Sequence, residues 1–417
     1  MMKNKKLNQW LWKWHFLSGI MALPFILLLS ITGIIYLFKE PYENKEVQQI
    51  KAVEITANPM SYQQQWDFAK TQTEENLTSM VIPSAPNHAT EFISGKFETL
   101  QTLYIDPYLG SVSGLIVSQD TDMYKVRKFH GELLMGSFGT KIIELIGCWM
   151  VVLIITGLYV WWPERSWNLK GYFIPRIRSG RRVFFRDAHA ITGFWLSALF
   201  LLILAGGLPW TDVFGAGFKW VQETTHTGYP STWNHYSQSD YPANARMVSL
   251  DMIVEKANEL QLPGTVSVKF PKDARGVFTV DNINYSELSK QEKYHLNPYN
   301  GEILKKHTWA DVGVLMQARM WVMAFHQGQF GQWNWILMLI TAFLLFLMSL
   351  SAIISYTLRK RKNSLGIPKV PKNYSLGIGM LLIIGFLGVL LPLFGLSVII
   401  IIIFELLKNN HKPVTLK

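Results

Sequence analysis

His15-Phe16-Leu17-Ser18-Gly19 opens one long apolar run, and His189-Ala190-Ile191-Thr192-Gly193 opens another 174 residues later. Two further markers recur in the same order. Phe129-His130-Gly131 precedes a second apolar run and Phe325-His326-Gln327-Gly328 a fourth, these histidines lying 196 residues apart. Between them stand Asp106-Pro107-Tyr108-Leu109-Gly110 and Asn297-Pro298-Tyr299-Asn300-Gly301, 191 residues apart, each flanked by segments that read as strand, turn, strand. Three markers in one order make the chain two copies of span, outer unit and span, a parallel repeat rather than an inverted one.

The runs Phe16 to Phe38, Ile142 to Trp162, Ile191 to Trp210 and Trp333 to Tyr356 are each long enough to cross about 30 Å of hydrocarbon at about 1.5 Å per residue. Leu376 to Leu407 is interrupted by Pro392 and Gly395 and reads as a hairpin of two short spans, for about six in all. Of the 40 Lys and Arg residues, 17 fall in three short stretches: before span 1, between spans 2 and 3, and after span 4. That bias places these stretches and both termini in the cytoplasm. The lysine-rich start lacks a small-residue cleavage site after its apolar run, so it reads as an uncleaved anchor.

The expected organisation is residues 1–39 as N-terminus and first span, 40–125 as a first outer domain, and 126–162 as an outer helix extension with span 2. A basic cytoplasmic loop follows at 163–188, span 3 at 189–210, a second outer domain at 211–318, and an outer extension with span 4 at 319–357. A second basic loop occupies 358–373, the hairpin 374–408 and a cytoplasmic tail 409–417. The fold class is an α-helical integral membrane bundle with two small α+β extracytoplasmic domains.

Composition agrees: 49% of residues are hydrophobic and only 17% charged, with a mean hydropathy of +0.15. The net charge of +11 would suit nucleic acid, but its confinement to the membrane-flanking loops makes it a topology signal, so no nucleic-acid partner is expected. The one cysteine, Cys148, rules out intrachain disulfides and cysteine-held clusters. Any metal chemistry falls to His, carboxylate or Met.

Four of the ten histidines occupy corresponding span entrances. By topology His15 and His189 lie at the cytoplasmic face, His130 and His326 at the outer face. Two inward-facing histidines from separate helices at one depth are what a six-coordinate b-type haem requires, so two b-type haems are expected, with these four residues as axial ligands to the iron. Zinc or copper transport is the rival, but Glu144 is the one carboxylate inside the four spans. His88, His226, His235, His295 and His307 scatter through the outer loops and read as surface residues.

Basic neighbours suit haem propionates: Lys13, Arg182 and Arg186 on the inner side, Arg127, Lys128 and Arg319 on the outer. Arg127, Arg186 and Arg319 are taken as cofactor-binding candidates. Arg127 and Arg319 are the more informative, because positive-inside bias does not explain them. Straight helices from His130 to Trp162 and from His326 to Tyr356 would be roughly 45 to 48 Å long, half as long again as the hydrocarbon. Either they extend outward and leave the outer histidines exposed, or Gly131, Gly136, Gly139, Gly328 and Gly331 bend them back.

Together with Thr156-Gly157-Leu158-Tyr159-Val160-Trp161-Trp162-Pro163, these motifs resemble the PepSY-associated transmembrane proteins, also called iron-regulated membrane proteins, over roughly residues 10 to 360. The resemblance implies two PepSY-like outer domains on a bacterial cytoplasmic (inner) membrane protein. Some members bind two b haems and reduce ferric siderophores on the outer side of that membrane. The function expected here is an oxidoreductase that passes electrons from a cytoplasmic donor to an extracytoplasmic ferric siderophore or other ferric chelate, releasing Fe(II). No phosphate-cradling glycine loop is visible, so flavin or NAD(P)H belongs to the donor. Trp233 and Tyr236 are candidate stacking surfaces for the chelate. The alternative is a non-enzymatic membrane anchor whose outer domains bind peptides or regulate a protease.

Overall fold

A computed structural model of the chain describes residues 4–56, 58–162, 170–237, 246–273, 275–360, 364–370 and 374–410. Pro163, residues 411–417 of the expected tail, and Lys3, Arg165, Arg361, Lys362 and Lys372 of the topology argument lie outside the described residues. Helix α1 (Lys5–Leu37) is capped by the Asn4 side chain, which accepts from the Lys6 and Leu7 amides, and passes over a bend at Phe38 into the polar α2 (Lys39–Lys51). Then come α3 (Tyr62–Thr71), β1 (Leu77–Val81), β2 (Thr90–Ser94), β3 (Gln101–Asp106) and β4 (Ser111–Val117). Helix α4 (Asp122–Glu132) carries His130, α5 (Gly136–Trp161) runs through the apolar layer, and the short α6 (Lys170–Phe173) leads to α7 (Arg181–Gly207). The second half comprises α8 (Val213–Thr224), α9 (Leu250–Glu259), β5 (Thr265–Lys269), β6 (Phe278–Ile283), β7 (Glu292–Leu296), β8 (Ile303–Thr308), α10 (Val314–His326) and α11 (Gln332–Arg359). Helices α12 (Ile378–Leu390) and α13 (Pro392–Asn410) end the described chain.

Among the described residues four helical segments, α1 with α2, α5, α7 with its extension to Trp210, and α11, are long and apolar enough to cross a membrane. The protein is thus a multi-pass membrane protein. The last two helices form the expected hairpin of two short apolar segments. With 13 residues, α12 is about 20 Å long and falls short of the hydrocarbon thickness. The turn of the hairpin packs Leu391 and Phe394 against Cys148 of α5 and Leu208. Glu144, buried within α5, accepts hydrogen bonds from the Val213 and Phe214 amides at 2.8 Å each, so the carboxylate inside the spans caps the start of the amphipathic α8.

The outer segments do not fold as two separate domains. Their eight described strands form one antiparallel sheet in the order β4-β3-β2-β1-β5-β6-β7-β8, and the halves meet where Met80 of β1 pairs with Val268 of β5. Each half alone would leave an apolar strand edge open, and joining the two edges removes it. Helices α3 and α9 cover one face over a common core that includes Met80, Phe92, Ile105, Ile253, Val268 and Phe278. The joint is reciprocal: Asp251 accepts from the Tyr62 and Gln63 amides at the start of α3, while the Gln63 side chain accepts from the Leu250 amide at the start of α9.

His295 and His307, read above as surface histidines, are buried in the second half of this sheet, their rings 5.7 Å apart. His295 bonds Thr279 Oγ1 at 2.9 Å and the Thr232 carbonyl at 2.8 Å; the Thr232 hydroxyl bonds His307. Beside them Lys293 pairs with Asp281 at 3.3 Å and lies over Trp233. Trp233 is buried and so forms no open stacking surface, while Tyr236 is half-buried with one face stacked on His295. Burial pushes the His295 imidazole down to about 4, against the Thr232 bond that favours protonation. A histidine whose folded pKa lies below its unfolded value stabilises the fold fully above about 6.5 and loses that contribution as pH falls toward 4, by about 1.4 kcal/mol per pH unit. Urea midpoints followed by tryptophan fluorescence are therefore expected to fall between pH 6.5 and 4, and the decline is expected to flatten in His295→Gln. An equally steep decline in that variant would assign the acid sensitivity elsewhere.

Candidate functional site

The chain bends where the long histidine-bearing segments had to be shortened. Between α4 and α5, Leu133, Leu134 and Gly136 all adopt positive φ, at 52°, 58° and 57°. Between α10 and α11 the same service is performed by Gly328 and Gly331, with φ 73° and 84°. The buried Asn334 side chain holds that second turn, accepting from the Phe330 amide and donating to the Phe325 carbonyl. Of the five glycines expected to bend the segments, Gly136, Gly328 and Gly331 do so, whereas Gly131 and Gly139 are helical residues of α4 and α5. Helices α4 and α10 consequently fold back onto α1 and α7, and the outer histidines sit within the bundle rather than above it.

Four helices surround the inner pair. His15 on α1 and His189 on α7 have ring centroids 6.4 Å apart and planes inclined by 74°. His15 Nδ1 bonds Thr156 Oγ1 of α5 at 3.0 Å, and His189 Nδ1 donates to the Met348 carbonyl of α11 at 3.1 Å. The outer pair repeats this plan. His130 and His326 lie 6.3 Å apart at 81°, with His130 Nδ1 on Thr32 Oγ1 of α1 at 2.9 Å and His326 Nδ1 donating to the Ile203 carbonyl of α7 at 2.9 Å. All four histidine residues are half-buried between the helices.

These facts fit a haem. An imidazole nitrogen meets a first-row metal at about 2 Å and the ring centroid lies roughly 1 Å behind it, so two axial rings on one iron have centroids about 6 Å apart. With Nδ1 occupied by an oxygen, Nε2 is the nitrogen left to ligate. A porphyrin supplies the remaining four nitrogens, which a bare zinc or copper ion would need from the protein. Among the described residues there is no group of three or more His, Cys, Asp or Glu able to hold such an ion. The two levels are separated by about 26 Å along α1 from His15 to Thr32, or about 21 Å along α7 from His189 to Ile203. An apolar cluster of Ala22, Ile26 and Ile146, with Phe25, Met150 and Leu345 packed against it, lies between the two levels.

The basic candidates divide. Arg186 is bound to the buried Asp187, which also holds Arg176, so it clamps the loop before His189. Lys128 is paired with Glu98 and Glu132. Arg319 lies over the Trp210 ring at 4.1 Å and donates to the Pro209 carbonyl at 2.7 Å, tying α10 to the end of α7. Arg127 is exposed, with its guanidinium over Tyr124, and Lys13 lies over Trp14. Arg359, read from the sequence as a loop charge, is near enough to Arg182 for the two positive charges to repel. Arg359 packs over Phe16, next to His15, at 4.4 Å, and its buried Nη2 has no hydrogen-bond partner among the described residues. Arg359, beside the residue that follows His15, is the better placed receptor for a carboxylate at the inner pair.

Directly beyond the outer pair a cleft of about 950 Å³ opens between the bundle and the sheet. Its floor includes Leu37, Gln327, Gly328 and Trp335, and its roof Ile82, His88, Val266 and Tyr285. Gln327 adjoins His326, and Leu37 lies five residues beyond Thr32, about 8 Å along α1. Its charges are mixed: Lys51 is paired with Glu91 at 2.5 Å, and Lys39 and Glu40 stand side by side.

No curated protein matches the chain. The sequence pattern of the PepSY-associated TM region family matches residues 12–359, which takes in all four histidines, both turns that fold their helices back and the whole outer sheet. The chain belongs to the PepSY-associated transmembrane family.

Proposed function

We propose that this protein is a di-haem b reductase of a bacterial cytoplasmic membrane, taking single electrons from a cytoplasmic donor and delivering them to a ferric chelate in the outer cleft. The observation that carries this reading is the matched spacing of two histidine pairs, each ring pinned through Nδ1. Haem bound there supplies one-electron chemistry through the Fe(III)/Fe(II) couple. The chain holds and orients the ligands, sets an apolar cluster between the two levels, and offers the chelate a recess about 8 Å from the level of Thr32. Adding one electron converts the chelated Fe(III) to Fe(II), which the chelator holds more weakly, so iron is released and the chelator is left intact. Ferric siderophores are the substrate class that the reading implies. The exposed basic loop around Arg178 and Arg181 suits an acidic donor.

The test is a visible spectrum of the purified protein followed by reoxidation of the dithionite-reduced form in proteoliposomes with a ferric siderophore, trapping Fe(II) with ferrozine. Two reducible haems per chain and stoichiometric Fe(II) are expected. A colourless protein would overturn the reading and leave the anchor for peptide-binding domains.

Orientation has its own expected result. Asp106 and Asn297 are buried turn residues, so cysteine labels belong at the exposed Leu109 and Asn300 instead. Both should react with an impermeant maleimide from outside, whereas labels at Arg178 and Leu365 should not. The opposite pattern would invert the assignment of the two histidine levels to the two faces.

A further inference from the structure

In each histidine pair one Nδ1 is held by a main-chain carbonyl and the other by a threonine hydroxyl. The threonines sit in the same dipeptide, Thr32-Gly33 in α1 and Thr156-Gly157 in α5. Each hydroxyl lies 2.8 or 2.7 Å from a carbonyl one turn back, Leu28 for Thr32 and Val152 for Thr156, and donates to it. Having given its proton away, the oxygen can only accept, so the imidazole must carry its proton on Nδ1 and present a bare Nε2 lone pair. The following glycine makes room for the same ring: a Cβ would meet His15 Cε1 at 3.0 Å from Gly157 and His130 Cε1 at 3.6 Å from Gly33.

We propose that Thr156 and Thr32 are positioning residues that fix the tautomer of His15 and His130 and set, one level each, the reduction potentials of the two haems. The proposal rests on the haem reading above. An acceptor on Nδ1–H increases the electron donation of Nε2 to iron and so favours the ferric state; removing the acceptor raises the potential. Because the partner histidines are held by backbone, the threonines are the two points at which a side chain alone controls this interaction.

The experiment is a spectroelectrochemical titration of the whole purified protein, with haem content measured in parallel. Thr156→Val is expected to shift one of the two reduction steps upward and leave the other in place, and Thr32→Val to do the converse. Thr156→Ser and Thr32→Ser restore the hydroxyl and are expected to return both steps to wild-type positions. A valine variant that loses one haem while its serine counterpart keeps two would support the same role. Unchanged steps in both valine variants with two haems retained, or serine variants that behave as valine does, would overturn it. A wild-type protein without haem bands would instead bring down the reductase reading itself, a result distinguishable in the first spectrum.

Discussion

His326→Ala is expected to halve the haem content and abolish Fe(II) release from a ferric siderophore, while the remaining haem stays reducible from the cytoplasmic side. The pairing makes the loss selective. His326 faces His130 at 6.3 Å, whereas His15 and His189 are held by α5 and α11 at a level about 21 Å away along α7. With His130 as its one remaining axial residue, a haem at this level would be only weakly retained. The outer level is also the one beside the cleft, since Gln327 and Gly328 line it. Haem analysis and ferrozine trapping in proteoliposomes check both halves of the expectation. Wild-type rates of Fe(II) release from a protein that has lost its outer haem would show that electrons leave by another route.

Gly206→Ala is expected to be nearly as damaging, although it removes no ligand. A Cβ at Gly206 would lie 2.6 Å from the Val322 carbonyl oxygen and 2.8 Å from His326 Cβ. The first of these is main chain, so α7 and α10 must move apart rather than reorient a side chain. Overpacking of this kind costs about 1 to 3 kcal/mol, and the displacement falls on the ring whose Nδ1 donates to Ile203. Outer-haem content is expected to drop severalfold and the inner haem to be spared. Gly217→Ala in α8, where a new Cβ meets nothing within 4 Å, serves as the control and should retain both haems. Equal haem contents in the two variants would mean that the α7–α10 contact does not govern ligand placement.

Much of this architecture was legible in the sequence because hydropathy and charge act locally. A run such as Trp333 to Tyr356 is apolar whatever its neighbours do, and α11 follows from it. The four histidines were visible for a related reason: each stands at a fixed point relative to such a run. Their depth was not. Leu133 and Leu134 take positive φ in residues that normally avoid it, and nothing local marks them as the break that turns α4 back. Long-range pairing hid the union of the outer segments, since β1 and β5 are separated by two apolar helices and the basic loop, and edge strands do not announce their partners.

What only the tertiary structure decided is which polar group meets which. Thr32 and Thr156 are ordinary hydroxyls in apolar helices until α4 and α1 bring rings against them. Arg319, Arg186 and Lys128 looked available for propionates, yet each already meets a carbonyl, a ring or a carboxylate contributed by the fold. His295 and His307 looked exposed and are buried. Composition and spacing determine where a helix is stable, because that depends on the helix's own surface and the solvent around it. The partner of a hydrogen bond or ion pair depends on atoms brought within about 3 Å by segments far apart in the chain, and that proximity comes into being only when the segments pack.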